Sequence, residues 1–446
     1  DQPSAACPEH DAQVSTRTRL KRLTQTQRLR QQQSMQMPMA HAKTMNDILK
    51  AEVSPDERNQ QLKQRLATAQ WPVKPEMFPT DTALVGGAVR DALLGRLGTC
   101  PDLDLVLPAN VLKLTRRLAA ELGGTCVVLD EERDMARLVL KGWTIDLARQ
   151  EGSSLEEDLE RRDFRINAMA WPLHTGKGLC DPTGGLEDLR DGRLSAVSEA
   201  NLIADPLRLL RGIRLMAEIP LELDQTTSQW IRTHRGTLGT AAPERILSEL
   251  QRLVNGVFAE TAIETLKRLD LLKPWQSATG AFPTTNASKL TPEEKERALP
   301  LARLIDLVSD EGLAHLRGSR MLRQRCRRLR AWRQRSGSDP ETLDESLRLQ
   351  LHQELEQDLP TLILALPDSC QEAWLSRWRD PQDTLFHPIT PVDGTTLQKE
   401  VGMKPGPALG RLLRHLKQEL AFGRINGHDE AIREAQRFVS RDGSSL

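Results

Sequence analysis

The pattern of apolar and polar positions along this chain changes period once. From Ala83 onward, short period-two runs alternate with helical stretches. Leu84-Val85 reads as a strand, Gly86-Gly87 as a turn, and Val89 to Leu94 as a short helix ending at Gly95. The alternation from Pro101 to Pro108 predicts a second strand, and Val111 to Leu122 a helix. Cys126–Leu129, Arg137–Leu140 and Trp143–Leu147 predict three more strands, the last two joined by a Lys141-Gly142 turn. After Ser154 strand signals almost vanish. Ser154-x-x-Glu157 reads as a capping box, and Asp205–Ala217, Pro243–Val254, Glu260–Leu269 and Leu301–Val308 carry helical periodicity.

These elements predict an α+β chain in which a small mixed-sheet head precedes a long all-helical body and tail, without internal repeats. Pro, Gly and Ser cluster near Ala278–Thr285, Ser336–Pro340 and Pro388–Gly394, marking joints. The expected division is 1–70 as a largely disordered N-terminal extension, 71–200 as the head and 201–260 as a helical neck. A helical body follows over 261–380 and a helical tail over 381–446. The opening stretch is rich in Gln, Arg, Thr and Met with no lasting period, which is why disorder is expected there.

Composition narrows the classes. No apolar run approaches the ~18–20 residues that span a bilayer, and the opening lacks the apolar stretch of a secretory signal, so a cytoplasmic protein is expected. The six cysteines are scattered with no Cys-x-x-Cys pair, which argues against a zinc ribbon and a disulfide framework. His174, His234 and His315 lack helical zinc spacing, so any metal is expected on oxygen ligands. Net charge is zero, in itself a poor sign of a nucleic-acid partner. However, Arg317 to Arg335 holds nine arginines and no acid, with Trp332 interleaved. A solvated helix face is the plain reading of such a run. Its density of one sign favours a phosphate-backbone contact, with Arg323, Arg327 and Arg330 as candidates. The chain has no tyrosine, which disfavours base-stacking platforms.

The chemistry-bearing residues lie in the head. Asp102 and Asp104 are one residue apart on a predicted strand, so both carboxylates share a face while Leu103 and Leu105 turn to the core. Like charges this close repel unless a cation sits between them, and hard oxygen ligands suit Mg²⁺. Alone, Asp-x-Asp is more often a solvated strand edge. The Gly86-Gly87 turn changes the balance, because bare backbone N–H groups at a helix start admit a triphosphate, with Arg90 one turn on. Asp146, an acid among apolar strand neighbours, is either a satisfied strand-end residue or a third carboxylate able to serve a second metal and the attacking hydroxyl. Arg162 is a phosphate candidate, and Asp163 or Asn167 a ribose contact. Asp205, Arg208, Arg211 and Arg214 lie beside a predicted buried stripe of Leu207, Leu210, Ile213 and Ala217. Asp and Arg three apart offer acceptor and donor edges to a base, although spacing alone favours an ordinary salt bridge.

Together these motifs resemble the class II tRNA nucleotidyltransferases and bacterial poly(A) polymerases of the polymerase β-like superfamily. Leu84–Gly95 with Asp102-Leu-Asp104 resembles their first motif, Ser154–Ala168 the second, Asp181–Leu189 the third and Ala204–Arg208 the nucleotide-reading helix. Ala242–Leu250 is similar to the next motif, and Gly402–Gly410 to a C-terminal segment. The resemblance implies that Gly87 and Arg90 hold a triphosphate, that Asp102 and Asp104 bind magnesium, and that Arg162, Asp205, Arg208, Arg211 and Arg214 bind the incoming nucleotide. It also implies that Asp205 and Arg208 mimic a Watson–Crick partner to select CTP or ATP, with tRNA as acceptor and no membrane involved. Three departures stand out. Ala204 occupies a position where the family commonly has Glu, Arg165 replaces a usual Thr, and only seven residues separate Asp146 from Ser154. Many members carry a longer flexible loop there, and its loss goes with enzymes that add two cytidines only. The alternatives are a poly(A) polymerase of the same fold and a non-catalytic RNA-binding protein with a degenerate head.

Overall fold

A computed structural model describes residues 47–174, 176–276, 282 and 287–442. The first helix, α1 (Pro55–Leu66), begins where the Ser54 hydroxyl accepts the Glu57 amide and Pro55 fits the first turn. It buries Leu62 and Leu66, and Arg65 donates to the Ala92 and Leu93 carbonyls. Ile48 and Leu49 are buried just before it, and Arg190 donates to the Leu49 carbonyl. The expected disordered extension over 1–70 is therefore corrected for 47–70. A few apolar anchors suffice to dock a stretch of low mean hydropathy. Residues 1–46 lie outside the described residues.

β1 (Ala83–Val85) leads through the Gly86 turn into α2 (Gly87–Leu93), and β2 (Leu103–Leu107) is followed by α3 (Val111–Leu122). β3 (Thr125–Asp130), β4 (Met135–Leu140) and β5 (Trp143–Arg149) follow, then α4 (Leu155–Glu160) and the short β6 (Ala170–Pro172). The sheet has six strands in the order β3-β4-β5-β2-β1-β6, with β2 and β5 parallel and the other pairs antiparallel. The strand β6, too short to show a period, was not anticipated. Lys141 and Gly142 both take positive φ (49° and 83°), the geometry of a tight hairpin turn.

Period two sorts the sheet residues. Leu84, Leu103, Leu105, Leu138, Ile145 and Leu147 are buried on one face, and α3 packs against β3, β4 and β5 with Leu114 and Leu118. The other face is closed at one end by a cluster of Ala83, Val85, Val106, Leu159, Ala168 and Ala170. At its other end it carries charge. Ser154 caps α4 by accepting the Glu157 amide, but the Glu157 carboxylate passes the cap and takes the Ser153 amide at 2.8 Å. The capping box is thus shifted by one residue, where Gly152 at φ 90° turns the preceding chain toward Glu157.

α5 (Gly185–Asp191) opens under Asp181, whose carboxylate accepts the amides of Gly184, Gly185 and Leu186. A Cβ at Gly185 would stand 2.2 Å from the Arg165 carbonyl oxygen, so this motif locks α5 onto the Arg165–Asn167 turn. Next come β7 (Arg193–Leu194), α6 (Glu199–Ala204), α7 (Leu207–Glu218), β8 (Glu222–Leu223) and α8 (Gln225–His234). Burial on α7 exceeds the single stripe anticipated, since Leu209, Leu215 and Met216 are buried as well as Leu207, Leu210, Ile213 and Ala217.

Contacts gather the chain into two compact units. One comprises residues up to Arg208 with Pro220–His234, and the other Leu209–Ile219 with Arg235 onward. The expected neck, 201–260, is shared between them. The second unit contains α9 (Pro243–Val254), α10 (Ala259–Arg268), α11 (Pro292–Leu307), α12 (Asp310–His315), α13 (Arg320–Ser336) and α14 (Glu345–Leu355). It continues with α15 (Leu359–Ile363), α16 (Asp368–Arg379), α17 (Gly394–Val401), α18 (Pro407–Ala421) and α19 (His428–Asp442). The last three helices close a core of their own around Leu397, Leu412, Leu416 and Ala431.

Candidate active site

The charged sheet face is organised by register. Val85 pairs with Asp104, Asp104 with Asp146, Asp146 with Arg137, and Arg137 with Val127. One row therefore crosses β1, β2, β5, β4 and β3 on a single face, with strands ~4.8 Å apart. Asp102 lies just before β2, and both it and Asp104 are exposed. The Asp104 carboxyl is nonetheless crowded by surrounding protein. That crowding first, and then the negative charge of Asp146, push its pKa up to about 6, while Arg162 pulls the other way.

Asp146 is not bare. Both of its oxygens accept from Arg137, from Nε at 2.7 Å and from Nη2 at 2.8 Å. This side-on pair holds the Arg137 proton more tightly than usual. Local pattern reading missed Arg137, although the hairpin carried the signal. Counting outward from the Lys141-Gly142 turn, through Leu140 opposite Trp143, sets Arg137 opposite Asp146.

The row meets the glycine turn at β1. Gly86 has φ 72°, and a Cβ there would lie 3.6 Å from both Arg162 Nη1 and Asp104 Oδ2. The turn thus sits in van der Waals reach of a cation and a carboxylate, and its positive φ is what favours glycine there. Arg162 is aimed by Asp158, a buried acid whose Oδ2 accepts from Nε at 3.2 Å and from Nη2 at 3.0 Å. Its other oxygen takes the Glu151 amide, so Asp158 ties Arg162 to the short link after β5. Asp158 is a second residue that pattern reading did not single out.

Other candidates are engaged inside the protein. Arg90 is buried, donating to Asn167 Oδ1 at 2.6 Å and Asp91 Oδ1 at 2.9 Å. It braces the turn that ends in Asn167, and a Cβ at Gly87 would lie 3.5 Å from its Nη2. Asp163 is buried and accepts the Phe164 amide. Asp205 accepts the Leu207 amide at the start of α7, and Arg208 donates to the Arg161 and Asn201 carbonyls. In the second unit, Arg214 is 2.7 Å from both Glu218 and Glu249, with Arg211 3.8 Å from Glu249. Arg211 and Arg214 thus share Glu249, an acid on another helix, and not an acid three residues away.

The arginine helix α13 divides its charges. Arg330 donates to Asp310 and to the Ile305 and Val308 carbonyls, and Arg325 grips Asp358. Arg323 is half-buried, while Arg327 is 71% exposed with Asp310 at 3.8 Å. Trp332 is buried with Cys326 and Leu329, and its indole donates to Glu354. The interleaved tryptophan belongs to the core stripe.

Among the described residues no group of three or more His, Cys, Asp or Glu side chains is gathered to enclose an ion. Two exposed carboxylates on rigid backbone suit a cation that keeps water and phosphate oxygens in its sphere, as Mg²⁺ does. A paired carboxylate at a strand start, beside a glycine turn backed by an arginine, defines the head of a nucleotidyltransferase.

Comparison with known proteins agrees. Residues 82–195 match the poly A polymerase head domain, and residues 220–279 a probable RNA and SrmB-binding site of polymerase A. The chain is 32% identical over 400 residues to a CC-adding tRNA nucleotidyltransferase of Synechocystis sp., covering 82% of this chain and 96% of that one. It is 28% identical over 390 residues to an A-adding tRNA nucleotidyltransferase of Halalkalibacterium halodurans, covering 80% and 88%. The fold is similar to a Thermotoga maritima CCA-adding enzyme complexed with tRNA, with a TM-score of 0.63 at 22% identity over 88% of this chain and 97% of that one. The chain belongs to the class II tRNA nucleotidyltransferase family.

Proposed function

We propose that this enzyme extends the 3′ end of tRNA, using CTP to add two cytidines, with Mg²⁺ as the cation. The observation that carries this reading is the single sheet face on which Asp104 and Asp146 adjoin the Gly86 turn and Arg162. The triphosphate lies against the Gly87 amide and Arg162, which Asp158 keeps pointed at it, while the Gly86 amide is held by the Met169 carbonyl. Asp102 and Asp104 would hold Mg²⁺, which when bound would supply charge neutralisation at the reacting phosphate. The tRNA 3′-oxygen attacks the α-phosphate in line, and pyrophosphate leaves on the opposite side. Asp205 and Arg208, side by side at the start of α7, would read the base. In the other unit, Arg323 and Arg327 remain the RNA-side proposal, with Arg327 the more exposed, whereas Arg330 is spent on Asp310 and the Ile305 and Val308 carbonyls.

The link after β5 supports two cytidines rather than a complete end. The chain passes from Arg149 to Ser154 in a few residues, pinned by the Gln150 amide on the Leu107 carbonyl and the Glu151 amide on Asp158. It leaves no slack for the longer loop of many relatives. No described helix is long and apolar enough to cross a membrane, and the proposed substrate places the enzyme in the cytoplasm. Product sizing on a tRNA lacking its CCA end, with CTP, ATP or both, tests the reading. Two added residues with CTP, and no third when ATP is also present, are expected. A complete CCA end would overturn the loop argument, and a long ladder from ATP alone would make the chain a poly(A) polymerase.

A further inference from the structure

We propose that Arg137 binds the last phosphodiester of the acceptor strand, holding Asp146 with one edge of its guanidinium and the RNA phosphate with the other. The inference rests on the reading above and extends it to the side of the site from which RNA arrives.

Order along the row supplies the direction. The glycine turn lies at β1, Asp104 on β2, Asp146 on β5 and Arg137 on β4. An in-line displacement needs the attacking oxygen opposite the leaving group. With the triphosphate tail at the Gly86 turn and the reacting phosphorus at Asp104, the attacking 3′-oxygen stands on the Asp146 side. The rest of the acceptor strand then continues over β4.

Electrostatics makes a cation necessary there. An approaching polyanion meets Asp102, Asp104 and Asp146 together, and all three bear on the Arg137 proton. Arg137 is the one cation in the row between these acids and the open edge, since the row ends in exposed, apolar Val127. Its side chain is 43% exposed. Nε and one Nη2 hydrogen serve Asp146, leaving the Nη1 edge with no protein acceptor among the described residues. A guanidinium carries donors on both edges of its fork, which lets one arginine bridge a carboxylate and a phosphate. Lysine, a point charge, would satisfy one partner at a time.

The test couples a protein change to an RNA change, using the full chain. A tRNA ending before the added cytidines is made with either a normal or an uncharged methylphosphonate terminal linkage. Its affinity for wild type, R137A, R137K and R137Q is measured in EDTA across a salt series. Neutralising the linkage is expected to weaken wild-type binding about tenfold and to leave R137A and R137Q almost unchanged. R137A is also expected to reduce the salt slope by about one. R137K is expected to keep that slope while losing part of the affinity. Equal linkage effects in wild type and R137A would overturn the proposal. So would variants that lose cytidine incorporation while affinity and salt slope stay wild-type, the result for an arginine that only steadies Asp146. Because binding is read without nucleotide, a wild type that fails to incorporate cytidine counts against the proposed function alone. The linkage comparison still decides the role of Arg137.

Discussion

The sheet face of the head and the arginine helix of the second unit both concentrate charge, but they use it differently. On the sheet, single charged residues on separate strands are brought into one row by register, and their groups face the open side. On α13, neighbouring arginines are dispersed by the 3.6-residue turn. Arg325 and Arg330 are drawn to Asp358 and Asp310, whereas Arg320, Arg327 and Arg328 point to solvent. Local density of charge is therefore a poor guide to availability. A sparse set on a sheet offers a site, and a dense set on a helix splits between scaffold and surface.

Four measurements sharpen or break this contrast. The largest effect belongs to the sheet. Chelating divalent ions should lower nucleotide incorporation by roughly a thousandfold or more. The thermal midpoint should move by no more than about 1 °C if the cation serves chemistry rather than folding. A large drop in midpoint would make the cation a structural element of the head.

On the helix, R330A should destabilise the second unit by about 2 kcal/mol in a denaturant titration, because it removes the donors to two carbonyls and leaves Asp310 only the more distant Arg327. R327A should change stability by less than about 0.5 kcal/mol while weakening tRNA binding. Equal stability losses would erase the distinction between spent and exposed arginines.

The third measurement concerns His352, fully buried in the second unit between Trp374 and Phe386, at ring separations of 5.2 and 4.1 Å. Neither ring nitrogen has a hydrogen-bond partner. Burial first, then the Arg377 and Arg348 charges, lowers its pKa to about 3. The depressed value means that the unfolded chain takes up a proton which the folded chain refuses. Its stabilising contribution is whole above about pH 6.5. It declines by up to about 1.4 kcal/mol per pH unit as pH falls toward 3. Subtracting the pH profile of H352L from that of the wild type should reveal this slope, and a flat difference would refute it. The smallest effect is S154A, which should cost about 1 kcal/mol at the start of α4. It should also loosen the Asp158–Arg162 pair carried by that helix, raising the KM for CTP more than that for tRNA.

Legibility in the sequence tracks the range of the interaction. The Asp102–Asp104 spacing, the glycine turn and the hairpin strands were readable because period two and turn chemistry act within a few residues. The bounds of α3 and α9 matched their periodicity for the same reason. Arg137 was overlooked because its meaning comes from the strand opposite, although the hairpin turn fixes that partner. Asp158 was hidden inside a run of acids on α4, where only burial sets it apart. Trp332 was grouped with the arginine run as part of a phosphate contact because that neighbourhood masks the stripe of Cys326, Leu329 and Trp332. The ordered segment 47–70 was passed over because composition, rather than its few apolar anchors, set the expectation.

The carboxylates of the sheet face serve chemistry that RNA binding does not require. Measuring tRNA affinity and cytidine incorporation on one preparation of D104N tests this most directly. D104N is expected to keep affinity within about threefold of wild type, with incorporation reduced at least roughly a thousandfold. Substantial turnover by D104N would contradict that expectation.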